Sequence, residues 1–364
     1  MRILHIHPSM LAGGVEAMIC SMAAEMARQG HDVTVCSIYQ PKPDDIFWSR
    51  LPGNVHRDTL GKGNTGFSLR EVFAVYRYIR RGHFDVVQLH GFLYYYFFAV
   101  VMLPRQRFFY TFHSDARREN FKWDARFFPL KKLVFRLGLV RAITISPASQ
   151  QSFRDLYGCS SSLCENGIPM PAVDDSPNVV DEARLTPSTR VFLHPGRITE
   201  AKNQLVLVRV FRRLIEEGQD VVLLIVGKEE DDAILRQLRP YFSDRIRYLG
   251  LRTDVPSLLA RADAMCLPSV WEGLPITLLE CLAVGCIPVC SPVGGIVNVV
   301  EDGRNGLLSA SSAEDDYYQA MQRFLVLDAD GVARMKQQVR ASFRPYHISH
   351  TVEKYLAAYA AAGK

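Results

Sequence analysis

The sequence predicts an α/β protein of two doubly wound domains in series, and three observations carry that reading. Short apolar β runs alternate with helical stretches from Arg2 to Ser146, the pattern of a parallel sheet covered on both faces. A segment rich in Pro, Asp and Ser, 169–187, then interrupts the pattern and reads as an interdomain linker. After it the alternation restarts. With 364 residues, 48% of them hydrophobic and 22% charged, the chain is long enough for two cores and lies outside the composition of disordered proteins.

Each element has its own signal. Arg2–His7 is a short β run, followed by Gly13-Gly14 and a helix through Met26. Asp32–Ile38 is a second strand and Ser68–Arg80 a helix. Asp85–Leu89 is a third strand ending at His90-Gly91, Arg107–Phe112 a fourth ending at His113, and Ala142–Ser146 a fifth. The apolar stretch Phe92–Pro104 is too short to span a bilayer and reads as a buried helix. In the second half Thr189–His194, Val221–Val226, Ile246–Leu249, Ala264–Leu267 and Ile287–Cys290 are strands, and Asn203–Glu217 is a helix. Ala313–Phe343 and Ile348–Ala361 close the chain as two helical stretches with Pro345 between them. In such sheets ligands bind at the carboxyl ends of strands, where most of the polar residues of interest fall.

Composition narrows the function classes. The eight cysteines form no C-x-x-C pair, and the histidines and carboxylates do not converge at metal-ligand spacing. Several cysteines lie inside apolar runs, as expected of free thiols in a reducing compartment. The N-terminus lacks the apolar core of a secretory signal, so a cytoplasmic protein is expected. Charge is uneven: residues 1–173 carry +8 and residues 174–364 carry −3. The excess concentrates in Arg105–Arg141, where Phe108, Phe109, Phe121, Trp123, Phe127, Phe128 and Phe135 are interleaved with basic residues. That segment suits peripheral docking on an anionic membrane, and equally a solvated helix face over a core stripe. Nucleic acid is not expected as a partner.

The most informative stretch runs from Ser269 to Glu280. Glu272 and Glu280 are separated by Gly273, Leu274, Pro275 and an apolar run. Pro275 suits the first position of a helix, which puts Glu272 on the preceding loop and Glu280 about one and a half turns inside. The unpaired N–H groups of such a helix start bind anions. A carboxylate beside an anion site and another further along fit a ligand with phosphates and hydroxyls, such as a nucleotide sugar. Arg197 and Lys202 follow the first strand of the second domain and suit a diphosphate, one as a fork and one as a point charge; the alternative is two surface cations. Gly13-Gly14, before Glu16, let a backbone approach phosphate closely, or make a plain tight turn. His113 and His90 end strands, where a histidine can donate to a hydroxyl or handle a proton; a lone histidine is more often structural. Gly294-Gly295 can offer N–H groups to a phosphate.

Together these residues resemble the GT-B glycosyltransferases, and within them the retaining glycosyltransferase family 4. The resemblance covers essentially the whole chain. It rests on Gly13-Gly14-Val15-Glu16, Thr111-Phe112-His113, Glu165-Asn166-Gly167-Ile168, Gly196-Arg197 with Lys202, Ala262-Asp263 with Leu267-Pro268-Ser269, Glu272-Gly273-Leu274-Pro275 through Glu280, and Gly294-Gly295. It implies two Rossmann-like domains facing a central cleft: an acceptor domain over 1–168 and a donor domain over 188–345. The helix 346–364 is expected to return to the first domain. Arg197 and Lys202 are expected to hold the donor diphosphate and Glu280 the ribose. Glu272, with Gly273, Leu274 and Pro275, is expected to meet the donor sugar and phosphates. The base is expected near Gly227 and near 252–255. His113 is expected beside the transferred sugar, with Glu16 and His90 on the acceptor side. The resemblance implies retaining, metal-independent transfer of a hexose or N-acetylhexosamine from a UDP-sugar, favoured over a GDP-sugar, with no further cofactor. The acceptor is a hydroxyl of a glycan or lipid-linked acceptor in surface polysaccharide synthesis. An NAD-dependent dehydrogenase, a sugar-nucleotide epimerase and a non-catalytic nucleotide-sugar-binding subunit are the competing readings. Ala12 and Ala17 break the dinucleotide glycine fingerprint, which weighs against the dehydrogenase.

Overall fold

Strands form where apolar residues run continuously, because a parallel strand inside a doubly wound sheet is buried on both faces. Val221–Val226 is the clearest case, with all six residues buried. A computed structural model describes the whole chain except residues 12, 43–44, 64–67, 92, 118, 120–126 and 362–364. It divides into two units, Met1–Pro169 with Tyr346–Lys364, and Met170–Pro345.

The first unit opens with β1 (Arg2–His7), α1 (Gly14–Arg28), β2 (Asp32–Tyr39), α2 (Ile46–Arg50) and β3 (His56–Lys62). It continues with α3 (Leu69–Gly82), β4 (Val86–His90), α4 (Phe97–Met102) and β5 (Arg107–Phe112). Then come α5 (Phe128–Arg136), β6 (Val140–Thr144), α6 (Pro147–Tyr157) and β7 (Ser162–Leu163). All seven strands are parallel, in the order β3-β2-β1-β4-β5-β6-β7. The order reverses between β1 and β4, and the crevice at such a switch point is where ligands bind. An aromatic cluster of Tyr110, Phe112, Phe135, Phe153 and Tyr157 fills the space between β5 and α5–α6. The apolar stretch 93–104 is a 3-10 turn, Leu93–Tyr95, and the short helix α4, not one helix; Phe92 lies outside the described residues.

The second unit holds α7 (Val179–Glu182), β8 (Arg190–Pro195), α8 (Gln204–Glu216), β9 (Val221–Val226), α9 (Asp232–Leu238) and β10 (Ile246–Tyr248). It goes on with α10 (Val255–Arg261), β11 (Ala264–Leu267), α11 (Ile276–Val284), β12 (Ile287–Cys290), β13 (Leu307–Leu308), α12 (Glu314–Leu325) and α13 (Ala329–Ser342). Its six parallel strands run β10-β9-β8-β11-β12-β13, with the switch between β8 and β11. The segment 170–187, expected as a linker, belongs to this unit. The Asn178 side chain caps α7 through the Val180 N–H, Arg261 pairs with Asp181, and the Asp174 N–H donates to Ser257 Oγ at 2.9 Å. The stretch expected as one helix over 313–343 is two, because the Asp328 carboxylate accepts the Gly331 N–H at 2.7 Å and starts α13 afresh.

The chain then returns to the first unit. Ile168 donates to Tyr346 O and accepts from the Ile348 N–H, at 3.0 and 2.9 Å. The last helix, α14 (Ile348–Ala361), buries Ile348, Val352, Tyr355 and Tyr359 there. Its hydroxyls complete a buried polar network. Tyr359 donates to Gln88 at 3.0 Å, Gln88 donates to Thr111 at 2.9 Å, and Thr111 meets the Tyr355 hydroxyl at 3.1 Å. All eight cysteines are free, and burial pushes the thiols of Cys20 and Cys164 up to about 12. Among the described residues no helix is long and apolar enough to cross a membrane, and no three His, Cys, Asp or Glu side chains gather as a metal would need.

Candidate active site

In the second unit the predicted residues meet at the switch point. The loop after β8 forms a short 3-10 turn, Glu200–Lys202, and the loop after β11 carries Ser269 and Glu272. The Val270 N–H donates to Ala201 O at 2.9 Å and ties the two loops together. Asn203 completes the tie. It sits in the left-handed region at φ +56°, and its amide donates to Pro268 O and Ser312 O at 3.1 and 3.0 Å. Asparagine is among the few side chains that tolerate that conformation.

On this frame Lys202 Nζ donates to Glu272 Oε1 at 2.6 Å, and Ser269 Oγ donates to the same oxygen at 2.7 Å. Both charged side chains are largely screened from water, 17% and 10% exposed, so the pair is stronger than a surface one. Glu272 Oε2 has no partner among the described residues. The aliphatic stem of Lys202 lies against Gly196, where a Cβ would press on it.

The rest of the Glu272 loop is held from below. Leu274 and Pro275 are buried, and Pro275 is the residue before α11, one position earlier than expected. Glu280 lies half-buried inside α11. Gly294-Gly295 does not wait for a phosphate with both its N–H groups, because the Gly295 N–H donates to Gly273 O at 2.6 Å. A side chain on Gly294, which has φ +56°, would overlap the Glu272 carbonyl. These glycines are the seat of the loop.

Arg197, on the loop after β8, pairs with Glu230 at 2.8 Å, not with Glu272, and both members are about half exposed. Gly227, after β9, has φ +153°, and a Cβ there would overlap the Gly196 carbonyl, so the two loops approach backbone to backbone. Its N–H donates to Gly250 O and its carbonyl accepts from Tyr248, at 2.8 and 2.9 Å. In the 252–255 stretch Arg252 holds Asp254 in a two-bond fork at 2.9 and 2.6 Å.

In the first unit Gly13 precedes α1 in extended backbone and Gly14 is the first residue of that helix. Glu16 folds back over them, and a Cβ on Gly13 would collide with its carboxylate. A carboxylate near a helix start is favoured by the same N–H groups that would hold a phosphate. At the β1/β4 switch four histidines gather. His113 Nε2 lies 2.9 Å from His90 Nδ1, and His90 Nε2 lies 3.2 Å from His5 Nδ1. The His7 ring stands edge-on to His90 at 6.3 Å between centroids. Burial holds all four neutral: His5 and His7 are lowered to about 4, His113 to about 3, and His90 well below the usual range. The Glu119 carboxylate accepts the Ser114 N–H at 2.9 Å and the His113 N–H at 2.5 Å, and burial raises it to about 7.

Sequence reasoning did not single out Asn203 or Glu119 and gave Ser269 no role of its own. Asn203 carries a readable signal, since Asn before an apolar-periodic helix marks a start. Glu119 carries none, because nothing in its own stretch of sequence marks it as the acceptor of the His113 and Ser114 N–H groups and of the Tyr110 hydroxyl. Within the basic segment, Phe121 and Trp123 lie outside the described residues. Lys131 is buried at 2%, while Leu133 and Leu137 on α5 and the loop after it are 51% and 62% exposed.

The family described as Glycosyltransferase Family 4 matches residues 12–170, and that described as Glycosyl transferases group 1 matches residues 189–326. An Escherichia coli protein named UDP-Gal:alpha-D-GlcNAc-diphosphoundecaprenol alpha-1,3-galactosyltransferase is 29% identical over 174 residues, 44% of each chain. The Bacillus anthracis N-acetyl-alpha-D-glucosaminyl L-malate synthase is 30% identical over 136 residues, 37% of this chain and 35% of that one. The alignment thus spans less than half the length of both relatives. Among solved structures, Anabaena HepE in complex with UDP and glucose superposes with a TM-score of 0.81 at 18% identity, covering 99% of this chain and 100% of that one.

Proposed function

Since this chain belongs to the group 1 and family 4 glycosyltransferases, with two Rossmann-like domains in the GT-B fold, we propose that it transfers a hexose or N-acetylhexosamine from a UDP-sugar to a hydroxyl of a glycan or lipid-linked acceptor. One observation carries the reading: Lys202, Glu272 and Ser269 meet at the carboxyl ends of β8 and β11, beside the start of α11. A nucleoside diphosphate is a good leaving group and needs charge stabilisation more than a strong acid. Lys202, Arg197 and the first N–H groups of α11 supply positive potential for it. Glu272 Oε1 is engaged by Lys202 and Ser269, so Oε2 is the oxygen that accepts from a sugar hydroxyl.

In the retaining, metal-independent mechanism proposed here, the bond from the anomeric carbon to the diphosphate oxygen breaks first, through an oxocarbenium-like ion pair. The acceptor hydroxyl attacks the same face, and its proton passes to the departing phosphate oxygen. Glu272 is not assigned as a nucleophile, because Lys202 and Ser269 stabilise its charge in place. Uridine as the base is supported by the UDP in the Anabaena neighbour, and surface polysaccharide as the setting by the acceptor in the Escherichia coli relative's name. The dehydrogenase and epimerase readings are not favoured by these relatives.

The deciding experiment is thermal stabilisation against UDP-, GDP- and ADP-sugars, NAD and NADP, without added metal. A rise in melting temperature with one UDP-sugar series is expected by mass action. A rise with NAD or NADP alone overturns the proposal. We also propose peripheral binding at the inner face of the cytoplasmic membrane, supported by the exposed Leu133 and Leu137 beside Lys132 and Arg141. Binding to anionic vesicles is expected to fall with salt and with Lys132→Ala; salt-independent binding, or none, overturns it.

A further inference from the structure

Three neutral histidines in a hydrogen-bonded row cannot choose their tautomers independently. Each carries one proton, and each of the two contacts, His113 Nε2 to His90 Nδ1 and His90 Nε2 to His5 Nδ1, needs one proton between its nitrogens. Only two arrangements satisfy both contacts. In one, every proton is on Nδ1, so His5 donates to His90, His90 donates to His113, and His113 Nδ1–H is left over. In the other, every proton is on Nε2, and His113 Nδ1 is left as a bare lone pair.

The two ends of the row differ. His5 is fully buried, and its Nε2 has no hydrogen-bond partner. The all-Nε2 arrangement strands an N–H there. The all-Nδ1 arrangement leaves only a lone pair at that buried end and puts the spare N–H on His113, which is half-buried at the carboxyl end of β5. Orphaned buried N–H groups are rarer in proteins than under-satisfied acceptors. The remaining neighbours do not reverse this choice. His7 spends its Nδ1 on the Ser9 carbonyl at 2.5 Å, and Glu119 engages the backbone N–H of His113, not its ring.

We infer that His90 and His5 are positioning residues that hold His113 in its Nδ1–H tautomer, so that His113 meets a sugar oxygen as a hydrogen-bond donor and not as a base. The inference rests on the proposed function only in taking the partner of His113 to be a sugar. The row itself is a property of the free protein. It deepens the functional reading, because the acceptor proton then has to leave by the phosphate route and not through His113.

The test is nitrogen-15 NMR of the full-length, ligand-free protein labelled at histidine, with the His113 signals assigned by their loss in His113→Phe. The expected result is a protonated, pyrrole-type Nδ1 and a bare, pyridine-type Nε2 on His113. The reverse pattern in the wild-type protein overturns the inference without any variant having to fold. His90→Phe removes the donor to His113 Nε2 and is expected to release the tautomer. His90→Asn keeps an amide N–H near the Nδ1 position and is expected to restore it. Transfer should follow the spectrum, with kcat/KM about tenfold lower in His90→Phe, the effect of one misdirected hydrogen bond, and recovered in His90→Asn. A purely structural His90 would lower the melting temperature and leave the His113 tautomer unchanged, which also overturns the inference. If no nucleotide sugar stabilises the protein while the Nδ1–H pattern is present, the functional reading fails and the row stands.

Discussion

Lys202 and Glu272 are each other's partners, so the effect of changing either includes what happens to the one left behind. Lys202→Ala is expected to weaken donor binding by about 1–3 kcal/mol, the loss of one charge-assisted contact. Isothermal titration with the stabilising nucleotide sugar measures it, and unchanged affinity refutes the role. Glu272→Gln keeps the shape and releases the lysine. The double variant is expected to be non-additive by about 0.5–3 kcal/mol, since the two side chains touch. Much at this scale was legible in the sequence: Lys202, Glu272 and His113 stood out by residue type and by position after a strand. The bonds that fix them were not. Asn203 reaches carbonyls of Pro268 and Ser312, far along the chain, and only the folded sheet brings those within reach.

Loops at the ends of strands are only as well placed as the elements beneath them, and Gly294 is the sharpest case. A methyl group there would occupy the space of the Glu272 carbonyl, so Gly294→Ala is expected to shift the Glu272 loop, lowering donor affinity as well as the melting temperature. Gly303→Ala is the control. Gly303 has φ +77° but nothing within 4 Å of the added carbon, so the cost is about 1–2 kcal/mol of backbone strain with donor affinity unchanged. Equal donor affinities in the two variants would rule out the seat. The elements most legible in the sequence are those buried on both faces, such as β9, where apolar residues run unbroken. Strand β3 went unread because His56, Arg57, Asp58 and Thr59 sit exposed at the sheet edge, with no apolar run to announce it. Strands β7 and β13 have two residues each and offer no period to detect. The break between α12 and α13 was readable at Asp328, a good N-cap, but the apolar period continues across it.

At the scale of the whole molecule, buried histidines set the response to acid, and they are unequally shared. His5 is lowered from the usual 6.5 to about 4, so the stability it contributes is complete above 6.5 and is lost as pH falls toward 4. That is on the order of 3 kcal/mol for one such group. His90, His7 and His113 add to the same trend. Glu119, raised to about 7, opposes it: its contribution is complete below 4.5 and is lost as pH rises through 7. The second unit has His194, lowered to about 4, and its Asp220, lowered to about 2, keeps its contribution until pH falls below 3.8. Between pH 6.5 and 4.5 amide exchange is expected to accelerate in β1, β4 and β5 before β9 and β11. Equal loss in both units would contradict this. The division into two units was visible in the sequence as a proline-rich interruption, yet the contacts that assign 170–187 to the second unit were not, because they form across the fold. The return of α14 to the first unit has a consequence for synthesis. Tyr355 and Tyr359 complete the polar network around Gln88 and Thr111, and they are translated after the whole of the second unit. The segment 170–345 can close as soon as it clears the ribosome, whereas the first unit must wait, at about 5–20 residues per second, until α14 has followed that segment out. Of the two units, the one begun first is therefore the one finished last, and a ribosome stalled before α14 strands it with its tyrosine pockets empty.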